Sequence, residues 1–354
     1  MIYDYLIVGQ GLAGSILAYQ LLKRNRSVAI VDDQKPNTSS KVAAGLINPL
    51  TGPKMAKSWR AEILFPYLID FYKQLEIETG SNFFKQETIY RPFSSVGDIN
   101  DMDGRSSNPT YSFFIKDIMA PGKHSHLVKD PYGGIELKGA VLNVRHFVES
   151  MRVYLSANCM YIEDSFDEKM LTINETYIGW KNVEASKLLF CTGYSIQKSK
   201  LFNWLPMAPV KGEILLLKLK ENFKTIYNKS GFIIPLGNNL FRAGSTYDRD
   251  NLSEQPTEKG EREIREKIDA LVNMRYDVVK QESGIRPGTV PRRPLIGFHP
   301  KYGNVGVFNG LGTKGVSLAP YFSSQFMKCL EDGNNLDQEV DIKKYYSLYF
   351  NSHF

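Results

Sequence analysis

The chain has 354 residues, 42% of them hydrophobic and 23% charged, a composition typical of a globular protein with ample apolar material for a core. The formal net charge of +6 is spread along the chain and gives little support to a nucleic-acid-binding surface. Three widely separated cysteines and no long apolar run argue against a disulfide framework and a transmembrane segment. We expect two domains and, because no leader pattern precedes the first strand, a cytoplasmic location.

A glycine-rich turn between two apolar runs dominates the first thirty-odd residues. Residues 5–8 and 28–31 predict two strands, and the stretch between them predicts a helix. In this setting Gly9 allows a tight turn, Gly11 lets the backbone approach a pyrophosphate, and Gly14 lets the helix pack on the strand. The pattern predicts a βαβ unit that binds a dinucleotide with its phosphates at the helix N-terminus.

Two acids follow the second predicted strand. Asp32 has the spacing usual for a carboxylate that hydrogen-bonds the ribose hydroxyls of a dinucleotide. Asp33 is a second acid with no adjacent arginine, which argues against a 2′-phosphate and therefore against NADP. The turn does not distinguish NAD from FAD. Further along, the small residues of segment 43–46 would let a flat ring lie against the backbone.

Apolar periodicity and breaker residues predict the remaining elements. Pro66 suggests that the first long helix becomes regular only near Phe65. The predicted helices are 61–79, 144–155, 258–274 and 316–330, and a predicted hairpin pairs 231–235 with 239–245. We expect segment 94–109 to be a surface excursion and the tail 341–354 to pack on the surface.

Two further turns predict cofactor contacts. The turn Cys191-Thr192-Gly193-Tyr194 ends a buried strand and could approach a cofactor from the side opposite the first glycine turn. The loop Gly310-Leu311-Gly312-Thr313-Lys314-Gly315 follows an apolar strand and precedes a helix. It predicts a second helix N-terminus at which negative charge is stabilised.

Taken together and in order, these motifs resemble the D-amino-acid-oxidase superfamily of FAD-dependent oxidoreductases, in its glycine-oxidase and sarcosine-oxidase branch. The resemblance selects FAD over NAD and implies that FAD is bound non-covalently. The matching segments are Gly9–Gly14 with Asp32, Ala43–Leu46, Gly139–Asn143, Cys191–Tyr194, Pro209–Glu213, Gly284–Pro287, Pro294–Gly297 and Gly310–Pro320.

The resemblance implies an α/β protein of two interleaved domains. A Rossmann-type FAD-binding domain would comprise 1–85, 140–205 and 284–354, and a substrate domain built on a large antiparallel sheet would comprise 86–139 and 206–283. No metal is expected, since the pair His124 and His126 lacks a third ligand. The expected FAD-binding residues are Gly9, Gly11, Leu12, Ala13, Gly14, Asp32, Asp33, Ala43, Ala44, Gly45, Leu46, Phe166, Thr192, Gly193, Gly310, Gly312, Thr313, Lys314, Gly315 and Val316.

The activity implied by the resemblance is oxidation of the C–N bond of an amino acid or secondary amine, by an oxidase or a dehydrogenase. Hydride would pass to the flavin, the imine would hydrolyse, and oxygen or another acceptor would reoxidise the flavin. Arg286 would bind a substrate carboxylate, the alternative being a structural salt bridge. Thr313 and Lys314 complete the expected catalytic residues.

Two of the three carboxylate ligands of glycine oxidases are missing from this chain. Phe232 stands where the family has a tyrosine, and Thr313, followed by Lys314, stands where it has a second arginine. The final loop instead resembles the oxidase half of the bifunctional enzymes that modify the wobble uridine of tRNA, which oxidise a carboxymethylamino group. Two alternatives therefore stay open, a tRNA-modification oxidase and a non-catalytic FAD-binding protein.

Overall fold

The computed structural model describes residues 2–353. The strands are β1 Ile2–Val8, β2 Val28–Asp32, β3 Leu46–Ile47, β4 Leu50–Thr51, β5 Ala56–Lys57, β6 Phe84–Pro92, β7 Ile115–Met119, β8 Gly134–Leu142, β9 Met160–Glu163, β10 Leu171–Ile173, β11 Ile178–Trp180, β12 Val183–Phe190, β13 Val210–Leu219, β14 Ile226–Asn228, β15 Phe232–Gly237, β16 Leu240–Gly244, β17 Tyr276–Arg286, β18 Leu295–Phe298 and β19 Val305–Asn309. The α-helices are α1 Leu12–Leu22, α2 Ser39–Val42, α3 Ala61–Thr79, α4 Val96–Ser106, α5 Pro109–Ser112, α6 Val144–Asn158, α7 Glu258–Asp269, α8 Gly315–Asp332 and α9 Tyr346–His353.

The first sheet contains the predicted dinucleotide-binding unit. Its parallel core has the order β9-β2-β1-β12-β19, and antiparallel strands extend it at β10, β11 and β18. The runs 5–8 of β1, 28–31 of β2, 188–190 of β12 and 305–309 of β19 are buried on both faces, which explains why these sequences read as continuous apolar runs, whereas the edge strand β9 is partly exposed. Helix α1 follows β1 directly, so its N-terminus lies at the carboxyl edge of the sheet, where ligands of such sheets bind.

The second sheet has the order β17-β13-β16-β15-β14-β6-β8-β3, with β7 also paired to β8. Its pairs are antiparallel as expected, except that β14 runs parallel to β6. Its strands come from segments 46–47, 84–142 and 210–286, which alternate along the chain with the segments 2–32, 160–190 and 295–309 of the first sheet. The predicted interleaving of two domains has this physical basis, and the domain boundaries themselves stay a prediction.

One prediction about local structure is wrong. The helix α3 begins at Ala61 and contains Pro66, so the proline sits one turn inside the helix rather than delaying its start. Segment 94–109 is exposed over most of its length, as predicted, and it contains the helix α4, which buries only Met102 and therefore leaves no clear apolar stripe in the sequence. Residues 341–351 of the tail are mostly exposed, as expected for a segment that packs on the surface, and Ile342 and Tyr349 anchor it in a core cluster with Trp204.

In residues 2–353 no helix combines the length and the apolarity that crossing a bilayer requires. The predicted hairpin is confirmed, since β15 and β16 pair antiparallel, with Gly237 opposite Leu240 and the turn at Asn238-Asn239. Helix α7 ends at Asp269, five residues before the predicted end.

Candidate functional site

One cavity of about 1890 Å³ lies between the two sheets and receives residues from both ends of the chain. Of the residues expected to bind FAD, all line this cavity except Gly14, which packs behind the glycine turn. The cavity wall also includes Arg286, the residue expected to hold a substrate carboxylate. The predicted site residues, which are far apart in sequence, therefore meet in one place.

The first glycine turn is shaped as a phosphate-binding turn requires. Gly9 has φ of 99°, and a Cβ at Gly14 would lie 1.8 Å from the Gly9 carbonyl oxygen, so both positions need glycine. Gly11 lines the cavity, and its nearest side-chain atom is Ser40 Oγ, 3.1 Å from an added Cβ. The Leu12 N–H donates to the same Ser40 hydroxyl at 3.0 Å. Backbone therefore faces the cavity at the positive end of α1.

The two acids after β2 have different partners. The Asp32 carboxylate accepts from the Gln10 N–H at 2.6 Å and from the Gln34 N–H at 2.8 Å, which fixes its orientation at the cavity edge. Asp33 instead forms an ion pair with Lys35 at 2.8 Å and raises the pKa of that lysine through a hydrogen bond. Asp32 is thus the carboxylate positioned to receive a pair of hydroxyls.

The turn after β12 approaches the cavity from the other side of β1. Thr192 Oγ1 is buried and has no hydrogen-bond partner among residues 2–353. Gly193 has φ of 60° and open space where a Cβ would be. Phe166 lines the same region and stacks on Trp180 with ring centroids 5.2 Å apart. An unpartnered buried hydroxyl beside open space is what a polar ligand group would satisfy.

The segments expected beside the flavin ring converge at the N-terminus of α8. Gly45 has φ of 73°, and a Cβ there would lie 1.8 Å from the Leu142 carbonyl oxygen. Gly310 and Gly312 also have positive φ, which lets the loop turn sharply into the helix. A Cβ at Gly315 would lie 3.1 Å from the side chain of Leu12, so the positive ends of α8 and α1 are neighbours. These features fit an extended dinucleotide with negative charge at both helix ends.

Arg286 ends β17, and its guanidinium lies across the backbone of β13. A Cβ at Gly212 would lie 2.0 Å from Nη2 of Arg286, so glycine at that position makes room for the guanidinium. The guanidinium donates to the Thr246 carbonyl oxygen at 3.0 Å and to the Ser245 hydroxyl at 3.0 Å, and it lies 4.5 Å from the centre of the Tyr247 ring. Burial lowers the pKa of this guanidinium.

The hydrogen-bond partners of Arg286 show whether the chain itself neutralises its charge. In residues 2–353 its hydrogen bonds go to neutral oxygens, and it forms no ion pair with a carboxylate of the chain. The alternative role considered from sequence, a structural salt bridge, therefore has no partner in the described part of the chain. A ligand that carries an anion would stabilise such a buried cation.

Lys314 is a second cation in the cavity wall. Its ammonium group donates to the Ser58 hydroxyl at 2.6 Å and to the Thr51 hydroxyl at 3.4 Å. Burial lowers its pKa, and the nearby Arg293 adds to this effect. Thr313 and Lys314 both line the cavity, and Lys314 lies directly before the first residue of α8.

Several cavity residues were not predicted from the sequence. Tyr247 covers Arg286, and no sequence signal marks it, since it follows β16 in an irregular segment. Thr51 ends β4 and Ser58 directly follows β5, and this short β4–β5 hairpin also carries no motif. Gly212 lies inside the motif Pro209–Glu213, so the family pattern could have identified it. The cationic pair Arg91 and Lys229 also lines the cavity.

The sequence family described as DAO, FAD dependent oxidoreductase, matches residues 4–324. The chain therefore belongs to the DAO family. By the description of this family, the chain is an FAD-dependent oxidoreductase. This finding argues against the non-catalytic alternative and confirms the resemblance seen in the motifs.

Curated relatives resemble the chain over nearly its full length. The tRNA 5-methylaminomethyl-2-thiouridine biosynthesis bifunctional protein MnmC of Leptospira interrogans (serovar copenhageni) is 23% identical over 96% of this chain. The chain spans 59% of that relative, about three fifths of its length. Glycine oxidase of Bacillus subtilis is 24% identical, and the alignment covers 90% of each protein.

Solved structures share the fold of the chain. Glycine oxidase from Bacillus cereus ATCC 14579 has a TM-score of 0.78 at 18% identity and covers 94% of this chain and 96% of its own. Iminodiacetate oxidase from Chelativorans sp. BNC1 has a TM-score of 0.76 at 18% identity, with 96% and 98% covered. The predicted α/β architecture with a large second sheet is confirmed by this likeness.

Proposed function

We propose that the chain oxidises the C–N bond of an amine that carries a carboxylate, either an amino acid or an N-substituted glycine. The observation that carries this proposal is Arg286, a buried guanidinium with neutral partners that faces the cavity beside the expected flavin position. A substrate carboxylate would supply the missing anion through two parallel hydrogen bonds. The oxidase relatives of similar fold support the reaction class.

Bound FAD would supply the hydride acceptor of the reaction. Arg286 would fix the carboxylate and so aim the substrate C–H at the acceptor. The positive end of α8 and the ammonium of Lys314 would stabilise the negative charge that develops during hydride transfer. Tyr247 would cover the bound carboxylate and exclude water from it. The resulting imine would hydrolyse in water, and oxygen or another oxidant would complete the turnover.

The experiment is an anaerobic titration of the purified yellow protein with amino acids and N-substituted glycines, with bleaching of the flavin absorbance as the readout. Arg286→Ala should retain FAD and raise the apparent KM about 100-fold, the loss expected for removing about 3 kcal/mol of charge-assisted binding. Arg275→Ala removes an exposed arginine and should leave the KM unchanged. An unaltered KM in Arg286→Ala, or no bleaching by any carboxylated amine, would contradict the proposal.

The second candidate substrate is a carboxymethylaminomethyl group on the wobble uridine of tRNA. It is favoured by the similarity to the Leptospira MnmC protein, which covers 96% of this chain, and by the loop Gly310–Gly315. Such a group is itself an N-substituted glycine, so Arg286 would serve the same role. The discriminating arm of the experiment is anaerobic bleaching by tRNA that carries this modification.

A further inference from the structure

One row of residues crosses the second sheet and forms a floor of the cavity. Gly244 pairs with Phe232, and Phe232 pairs with Asn228. The parallel pairing of Tyr227 with Tyr90 then places Asn228 beside Arg91, the next residue of β6. Gly244, Phe232, Asn228 and Arg91 all line the cavity, as expected for paired residues that share one face of a sheet.

Both ends of this row are cationic. At the Gly244 end, the hydroxyl of the following residue, Ser245, accepts from the Arg286 guanidinium at 3.0 Å. At the other end lie Arg91, whose surface is 7% exposed, and Lys229. Arg91 donates to the Pro53 carbonyl oxygen at 3.2 Å and Lys229 donates to the Phe93 carbonyl oxygen at 3.3 Å. Each of these bonds goes to a neutral oxygen, as at Arg286.

The cationic pair Arg91 and Lys229 carries more positive charge than the chain neutralises. Burial lowers the pKa of both Arg91 and Lys229, and Arg91 further lowers the pKa of Lys229. The Asp98 carboxylate raises the pKa of both groups and so partly opposes the effect of burial. One oxygen of Asp98 already accepts from the Ser94 N–H at 2.7 Å. Two cations thus face one carboxylate at the edge of the cavity, which leaves one positive charge for a ligand.

The strand spacing sets the backbone distance between the two ends of this row, and this distance gives the scale on which the cationic groups are separated. Three strand steps separate Gly244 from Arg91, about 14 Å at the usual spacing of about 4.8 Å. Between them lie the ring of Phe232 and the amide of Asn228, which Asn48 holds through a hydrogen bond at 3.1 Å. A small amino acid held at Arg286 would be too short to reach the far pair.

We propose that the substrate is an elongated amine with an anion at each end, its carboxylate on Arg286 and a second anion on Arg91 and Lys229, about 14 Å apart. The second anion is a carboxylate or a phosphate, and the apolar middle of the molecule lies over Phe232. This inference rests on the proposed function, because Arg286 has to hold the carboxylate of the amine. It adds a second anion subsite and a length requirement to that function.

The test is isothermal titration calorimetry of the FAD-containing protein with glycines N-substituted by alkyl chains of increasing length. Each chain is compared with its counterpart that ends in a carboxylate and with one that ends in a phosphate. The terminal anion should strengthen binding about tenfold, but only in chains whose extended length reaches about 14 Å. The terminal group that strengthens binding more, carboxylate or phosphate, identifies the chemistry of the second anion.

Lys229→Gln should remove the gain from the terminal anion while the affinity for short N-alkylglycines stays unchanged. Arg91→Gln should do the same, and Lys229→Gln keeps the test valid if the buried Arg91 variant fails to fold. Lys218→Gln, at an exposed lysine of β13, is the matched control and should keep the gain.

The outcomes distinguish this inference from the proposed function. If short N-alkylglycines bleach the flavin anaerobically and a terminal anion adds nothing at any length, the second subsite is refuted and the proposed function stands. If no amine bleaches the flavin while long chains gain affinity through Lys229, the amine oxidation is refuted and the second subsite stands. A gain that survives Lys229→Gln and Arg91→Gln also refutes the subsite.

Discussion

At residue 14 the fold leaves no room for a side chain. A Cβ at Gly14 would lie 1.8 Å from the Gly9 carbonyl oxygen, so Gly14→Ala must push α1 away from β1 and deform the phosphate turn. We expect this variant to purify without FAD, which absorbance at the flavin bands measures. The matched control is Gly104→Ala in α4, where a Cβ meets no atom within 4 Å. It should retain FAD, and a yellow Gly14→Ala protein would contradict the close packing.

Lys314 should make the stability of the protein depend on pH. Its folded pKa is lowered by burial and by Arg293, while an unfolded lysine titrates near 10.4. Between these values the unfolded chain binds more protons, so stability rises as the pH rises through this window. Lys314→Met should reduce that rise in denaturation midpoints measured from pH 7 to pH 10, while other lysines whose pKa is lowered, such as Lys229, keep their share of it. Lys218→Met, at an exposed lysine, should keep it, and equal slopes in both variants would exclude Lys314 as the cause.

At the scale of elements, a buried ion pair joins α7 to the strand that carries Gly212. Lys211 and Glu213 on β13 are 3.4 Å apart and almost fully buried. The Glu213 carboxylate also accepts from the Thr257 N–H at 2.9 Å and the Thr257 hydroxyl at 2.8 Å, at the N-cap of α7. The pair therefore anchors the helix behind the sheet that positions Arg286.

Glu213→Gln should leave the buried ammonium of Lys211 without an anion and cost about 3–5 kcal/mol of stability, measured by chemical denaturation. Adding Lys211→Met should recover much of this loss, since the uncompensated charge is then gone. Thr257→Ser keeps the capping hydroxyl and serves as the control. If the double variant were as unstable as Glu213→Gln alone, the loss would come from packing rather than charge.

Elements encoded by neighbouring residues could be predicted, and those set by distant pairing could not. The phosphate turn with Gly9 is formed by neighbouring residues, so its function can be predicted from the sequence. The place of Arg91 depends instead on the parallel pairing of β14 with β6, strands about 140 residues apart, and no motif marks that pairing. The tail is anchored through Ile342 and Tyr349, which pack in one cluster with Trp204, a contact that its basic and aromatic composition does not reveal.

At the scale of the whole molecule, the two ends of the chain build one wall of the cavity. The N-terminal residues of α1 and α8 touch at Leu12 and Gly315, and each helix presents its positive end to the same cavity. Two positive helix ends side by side repel each other until an anion lies between them. The ligand therefore contributes to the cohesion of the fold as well as to its chemistry.

Removing FAD should consequently loosen both ends of the chain together. Ligand present at 100 times its dissociation constant stabilises a protein by about 2.7 kcal/mol, and the thermal midpoint should fall when FAD is removed. In hydrogen–deuterium exchange, segments 9–14 and 310–315 should lose protection in parallel, although about 300 residues separate them. Peptides around Tyr90 and His124, whose rings stack 4.0 Å apart outside the cavity, provide the internal control. Loss of protection in only one of the two glycine segments would mean that FAD does not bridge the helix ends.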